Sequence, residues 1–511
     1  MKQTLILTVS AVGLAALSAP VAAQHQHMPG MTMPMSAKKP PAKKKTAAKN
    51  ASSTKKAPTG GDHGSSDRTA PEAGMAMPMD HSQHGSMPMP AQPGAAAGTP
   101  PMDHSQMDHS QMGEMPMGEH AGSMGQMEMT GALGSYPMDR EASGTAWQPD
   151  TSEHAGLHMM SGDWALMAHG VLNLVYDHQS GPRGDDKAFA SGMLMGMAGR
   201  PLGNGTVQFK AMLSPDPLMG KRGYPLLLAS GETANGTDRL IDRQHPHDLF
   251  MELSVSASQN IGPKSSVFLY AGLPGEPAFG PPAFMHREAI LDSPEAPISH
   301  HWLDSTHITF GVLTGGIVLD RVKLEVSRFN AREPDQHRWN IETGPLDSTS
   351  VRLSWNPTRT LSLQGSWAHF EDPEQLEPGV DQKRLSASLL YAREIAPGWK
   401  VAGTLAWGRK TVEHHNDDAF VAEASLKHAG WTVFSRGEMT ENRELTDVEH
   451  GPAYRVGKVS LGAVRDFQVA DHLSLGLGGL FAVNFVPDGI APAYGGHNPT
   501  GAMGFVRLRL D

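Results

Sequence analysis

The sequence predicts an all-β protein, an antiparallel transmembrane β-barrel of about sixteen strands, with fourteen the other even count it admits, behind a long Met/His-rich tail. Three observations predict it. Large apolar residues are missing from 24–132 and then abundant, with Trp147 the first of nine Trp. Beyond that point apolar and polar residues alternate in runs of about ten, and no apolar stretch is long enough for a spanning helix. The connections between runs are alternately short and long, as in barrels with tight turns at one rim and loops at the other.

Taken in order, residues 1–23 have Lys2, an apolar run from Leu5 to Leu17, and Ala19-Pro20-Val21-Ala22-Ala23. This is the pattern of a signal peptide cleaved before Gln24, so the chain is expected to be exported. There is no cysteine, which removes lipoprotein anchoring, disulfides and thiolate metal sites. Residues 24–146 are expected to be a disordered tail, because without Leu, Ile, Val, Phe, Tyr or Trp over most of its length it has little to bury against the entropy of ordering. Lys38–Lys56 holds lysines and no acid, a solvated spacer or a contact for anionic lipid or glycan. Residues 147–511 are the expected barrel domain.

The tail repeats one word three times: Met79-Asp80-His81-Ser82-Gln83, Met102-Asp103-His104-Ser105-Gln106 and Met107-Asp108-His109-Ser110-Gln111. Around these lie His84, Met87 and Met89, then Met112, Met115, Met117 and His120. Thioether sulfur suits Cu(I) and Ag(I), whereas imidazole and carboxylate suit Cu(II). These residues are therefore the candidate metal ligands, with copper in either oxidation state, and silver as well, the expected ion. Tandem words of this kind in a Met-rich leader resemble the copper-resistance protein B family of bacterial envelope proteins. That resemblance implies an outer-membrane barrel behind the tail, copper binding and resistance, and periplasmic copper-handling proteins as partners. The segment from His286 to His307 is similar to uncharacterised bacterial envelope proteins.

Alternation places strands near 163–177, 188–199, 205–214, 247–260, 264–274, 305–314, 317–329, 348–356, 359–370, 382–395, 398–409, 418–428, 431–440, 454–466, 472–485 and 499–510. Long loops fall at 215–246, 275–304, 330–347, 371–381, 441–453 and 486–498. In the last strand Val506, Leu508 and Leu510 are expected to face lipid, and Phe505, Arg507 and Arg509 the lumen, because arginine is costly against lipid. Both termini, and with them the tail, are expected at the short-turn, periplasmic rim.

Within the barrel, Asp242-Arg243-Gln244-His245-Pro246-His247-Asp248 closes one long loop. His286-Arg287-Glu288 and His300-His301-Trp302-Leu303-Asp304 bracket the next, with His307 following. His245, His247, His300 and His301 are candidate ligands for a divalent metal; the same residues would also serve as ion-paired loop polars filling the lumen. His414-His415 and Asp417-Asp418 are expected to be a solvated loop. No phosphate-binding loop, Gly-x-Ser-x-Gly or His-Glu-x-x-His is present, so no enzyme is expected. The formal net charge of −11 lies in the folded half, since 24–140 is balanced, and nothing points to nucleic acid. The expected function is an outer-membrane copper-binding protein whose tail sequesters periplasmic copper and whose barrel anchors or exports it; a general diffusion barrel and a soluble periplasmic metal store are the alternatives.

As an isolated peptide the tail should bind Cu(I) through Met and Cu(II) through His. Replacing every Met from Met75 to Met129 by Leu should remove most Cu(I) capacity and spare Cu(II), as read by titration. Undiminished Cu(I) binding would refute the thioether reading.

Overall fold

The fold is described by a computed structural model for residues 130–153, 156–446, 448 and 451–510. The expected signal peptide and the tail ligands from Met79 to His120 lie outside the described residues. β1 (Leu157–Ser161) is a spur paired to the foot of β2 (Trp164–Gln179). The chain continues through β3 (Asp186–Leu202), β4 (Gly205–Leu213), β5 (Tyr224–Thr233), β6 (Arg239–Gln244), β7 (Phe250–Gly262), β8 (Ser265–Gly272), β9 (Val312–Leu319) and β10 (Val322–Phe329). It then passes through β11 (Ser348–Thr358), β12 (Leu361–Phe370), β13 (Gln382–Ala396), β14 (Trp399–Val412), β15 (His415–His428), β16 (Trp431–Asn442), β17 (Tyr454–Ala470), β18 (Leu473–Phe485) and β19 (Thr500–Leu510). Setting aside the spur and the separate β5–β6 hairpin, sixteen antiparallel strands pair with their neighbours in sequence, and β19 returns to β2, closing the barrel. Closure leaves no unpaired edge, which lipid would not tolerate.

The outer face is apolar. Leu172, Leu174, Leu194, Leu269, Leu353, Leu405, Leu461 and Leu477 are exposed on it, and Trp355, Trp399, Trp431 and Phe467 ring the end near the termini. An apolar band with an aromatic girdle is the surface a bilayer selects. No described helix is long and apolar enough to cross a membrane; the crossing is made by strands. The inner face is polar. On β10 Lys323, Glu325 and Ser327 are buried while Leu324 and Val326 are exposed, and on β19 Arg507 is 1% exposed while Val506 and Leu508 face out, as the alternation predicts.

All sixteen expected strands exist, but two are misplaced. The strand expected at 305–314 begins at Val312, and the turn expected at Gly315-Gly316 lies at Asp320-Arg321. Gly315 and Gly316 instead run inside β9. A Cβ on Gly316 would stand 2.3 Å from the Phe268 ring on the neighbouring strand, so this glycine makes room for an aromatic on the lumen face. Asp320, at φ 54, takes the left-handed backbone that the turn requires. His414-His415 and Asp417-Asp418 also differ from expectation. The connection is a two-residue turn at 413–414, and Asp417 is a buried residue of β15 whose carboxylate accepts from Arg443 at 2.9 and 3.0 Å.

The barrel is filled. At the end near the termini, residues 131–152 lie inside it, so the domain boundary expected at 147 falls earlier, near Thr130. The reason is local: Leu133, Tyr136 and Trp147 pack with Phe268 and Val318 of the wall, giving the segment the apolar anchor that the preceding residues lack. Ser258 and Ser266 hydroxyls donate to the Ala132 and Leu133 carbonyls at 2.7 and 2.6 Å. Lys323 reaches the Thr145 carbonyl. From the opposite end the β5–β6 hairpin and the connection 273–311 descend into the lumen; β5 is buried along its whole length.

Arg352 ties wall, plug and loop together. Its guanidinium donates to Glu325 at 3.0 Å, to Thr145 Oγ1 at 2.9 Å and to the Gly280 carbonyl at 3.2 Å. Arg352→Ala should cost about 3 kcal/mol, the low end for breaking a buried pair, because Lys323 stays beside Glu325. Denaturant unfolding in detergent measures this; a change below about 1 kcal/mol would show that the plug is held elsewhere.

Candidate metal centre

Pro246 keeps the chain leaving β6 extended, so His245 and His247 both stay inside the lumen, 6% and 8% exposed. The connection 273–311 supplies the facing side: a helical turn, α1 (His300–Leu303), followed by a 3-10 turn at Ser305–His307. α1 rests on the wall at Gly408, where a Cβ would stand 2.4 Å from the Trp302 carbonyl oxygen. Any side chain there would lift the turn. The Trp302 indole donates to the Asp417 carbonyl at 3.0 Å, fixing its far end.

This brings His247, His300 and His307 together. All three are buried, and one ring nitrogen of each lies within 4.8 Å of those of the other two. Each Nδ1 meets an acceptor. His247 Nδ1 meets Asp216 at 2.8 Å, His300 Nδ1 meets Asp304 at 2.9 Å, and His307 Nδ1 meets the Asp304 carbonyl at 2.7 Å. A carbonyl only accepts, so His307 carries its proton on Nδ1 and keeps the Nε2 lone pair. The Nε2 atoms of His247 and His307 are buried without a hydrogen-bond partner. Converging imidazoles whose Nδ1 atoms each meet an acceptor have the arrangement of metal ligands with their outer partners in place.

His245 and His301 surround this trio without joining it. Their rings are 5.5 Å apart, His245 facing Glu232 at 3.1 Å and His301 facing Glu333 at 3.1 Å. Of the four histidines expected to bind metal, the structure therefore puts His247 and His300 at the centre and His245 and His301 around it. His307 belongs to the centre through the 3-10 turn, in a stretch where alternation predicts a strand.

Buried arginines hold the frame. Arg287 is fully buried, donating to both Glu423 oxygens at 2.7 and 2.8 Å and to Asp304. Arg338 bridges Asp248 at 3.1 Å and Glu232. Burial lowers the His300 pKa to about 4 against the opposing pull of Asp304. Burial, with His247 and His300 adding to it, puts His307 well below its ordinary value. Both rings are therefore neutral at neutral pH. His301 goes the other way: burial lowers it, but Glu333, Glu374 and Glu444 together raise it above the ordinary value. A second group, His369, Glu371 and Asp381, lies half-exposed at the rim, with the imidazole 3.4 and 3.8 Å from the two carboxylates; it reads as a surface ion pair.

No protein-family model and no curated protein matches this chain. Among solved structures it is similar to an anion-selective porin from Comamonas acidovorans (13% identity, TM-score 0.39, covering 68% of this chain and 99% of that one). It is also similar to OprB of Pseudomonas putida (10% identity, TM-score 0.42, 68% and 94%) and to OmpF of Salmonella typhi in complex with daunomycin (11%, 0.42, 69% and 100%).

Folded His300 takes its proton near pH 4, whereas an unfolded histidine takes it near 6.5. Between those values the unfolded state binds more protons, so the apo barrel should lose stability as pH falls through this window. His301 opposes the trend. His300→Gln should flatten the profile measured by thermal unfolding; a profile unchanged from wild type would show that His300 does not carry it.

Proposed function

We propose that this chain is an outer-membrane metal-handling barrel whose cargo is copper, with the tail collecting periplasmic ions and the lumen holding them. The observation that carries the reading is the buried His247–His300–His307 trio, each Nδ1 already bound to an acceptor. Three buried imidazoles suit a divalent first-row ion, and among these Cu(II) binds N-donor sites most tightly. The Met-Asp-His-Ser-Gln words of the tail add donors for both copper states. A closed barrel in an exported bacterial chain belongs in the outer membrane, and the tight two-residue turns that prevail at the terminal rim support a tail on the periplasmic side.

The filled lumen weighs against general diffusion, since the plug and the β5–β6 hairpin stand where an open pore would run. The apolar outer belt weighs against a soluble periplasmic store, which would have to leave that belt in water. The test compares the purified full-length chain with His247→Ala/His307→Ala. Wild type should hold one more Cu(II) per chain, with an electron paramagnetic resonance signal showing several coordinated nitrogens. Equal Cu(II) content would overturn the reading. In planar bilayers the wild type should conduct weakly, and removing residues 224–244 should raise the conductance.

A further inference from the structure

A second cluster lies between the histidine centre and the plug. β3 carries Met193-Leu194-Met195-Gly196-Met197. Strand alternation turns the three methionines inward, with Met193 and Met195 buried and Leu194 exposed. Register sets His169 of β2 opposite Met195, and Met195 opposite Met212 of β4. Met212 and Met251 are buried, and Met285 packs against the group from the connection 273–311. Six of the twelve methionines after Met138 thus meet on one patch of the lumen, more than gap-filling in an ordinary core requires.

The patch is not closed over. Met193, Met195, Met197, Met285, His169 and His286 line a cavity of about 130 Å³, room for an ion with a water or two. Its donors are aimed at one another: His169 Nε2 and Met195 Sδ are 2.8 Å apart, and the His169 and His286 rings are 6.3 Å apart. The basic residues on its wall are already engaged. Lys210 donates to the Gly144 carbonyl at 3.1 Å, and Lys427 is held by Glu288 at 2.8 Å. An anion therefore finds no open cationic partner there, whereas thioether sulfurs beside the His169 ring suit a soft cation.

We propose that this cavity is a second metal site, distinct from the histidine centre, that takes a soft monovalent cation, Cu(I) or Ag(I), through Met193, Met195, Met197 and His169. Thioether donors favour these ions over Cu(II) and Zn(II). The site stands on its own residues and does not rest on the histidine trio. The two are neighbours nonetheless. Phe284, whose ring lies 5.7 Å from that of His300 and 6.2 Å from that of His247, is followed in the chain by Met285 and His286 of the cavity.

The test uses the full-length chain in detergent with its methionine methyls labelled with carbon-13, and silver nitrate in chloride-free buffer as the probe. Ag(I) should shift the Met195 methyl resonance, identified by its loss in Met195→Leu. The variant M193L/M195L/M197L should hold one Ag(I) fewer per chain, with tail binding common to both. Leu replaces Met at nearly constant volume, and unheated electrophoretic mobility checks that the barrel is folded. His247→Ala/His307→Ala should keep the Ag(I) and the methyl shift, so loss of the histidine reading leaves this one standing. An unmoved Met195 methyl at silver saturation, or an unchanged Ag(I) count in the triple variant, would overturn the proposal.

Discussion

The interior of this barrel depends on the Arg287 guanidinium. It reaches the wall at Glu423 and the descending connection at Asp304, and Asp304 in turn orients His300 through its carboxylate and His307 through its carbonyl. A buried carboxylate without a cation would take up a proton and lose its hold on the imidazole. With Arg287 between the two carboxylates, the connection is fixed to the wall at mid-barrel. Arg338 repeats the device on the facing side, joining Asp248 and Glu232. The histidines are thus positioned by charge pairing across loops that share no regular secondary structure.

Most of the wall could be read from the residues, because lipid on one face and polar lumen on the other impose alternation on every strand. The exception is instructive. Gly315-Gly316 has the composition of a turn, and only the Phe268 ring on the next strand explains why it is extended. That pairing is a long-range fact with no local trace. The lumen contents were legible in kind but not in place. His245, His247, His300 and His301 stand out by type, yet nothing in their spacing tells which two converge or that His307 completes the set. Most of the plug is read as tail because Leu133 and Tyr136, ahead of Trp147, are too few to show periodicity.

The methionines of β3 illustrate the same limit. Met193, Met195 and Met197 alternate as any strand residues do, and what makes them distinctive is the register that sets His169 across from Met195. Along the barrel axis the donors then grade from imidazoles framed by carboxylates, through the aromatic layer at Phe284, to thioethers above the plug. The thioethers share their compartment with the His169 imidazole, apart from the carboxylate-framed trio.

The plug also determines which parts of the chain are interchangeable. Lys323, Arg352 and Asn356 of the wall place hydrogen bonds on the Thr145 carbonyl, the Thr145 hydroxyl and the Gln148 carbonyl, so these groups belong to the barrel as much as any strand does. A boundary drawn where the tryptophans begin would cut through them and leave buried donors unmatched. Upstream of Thr130 no such commitment is visible in the composition. Residues 131–152 are therefore as much a part of the barrel as the wall they fill.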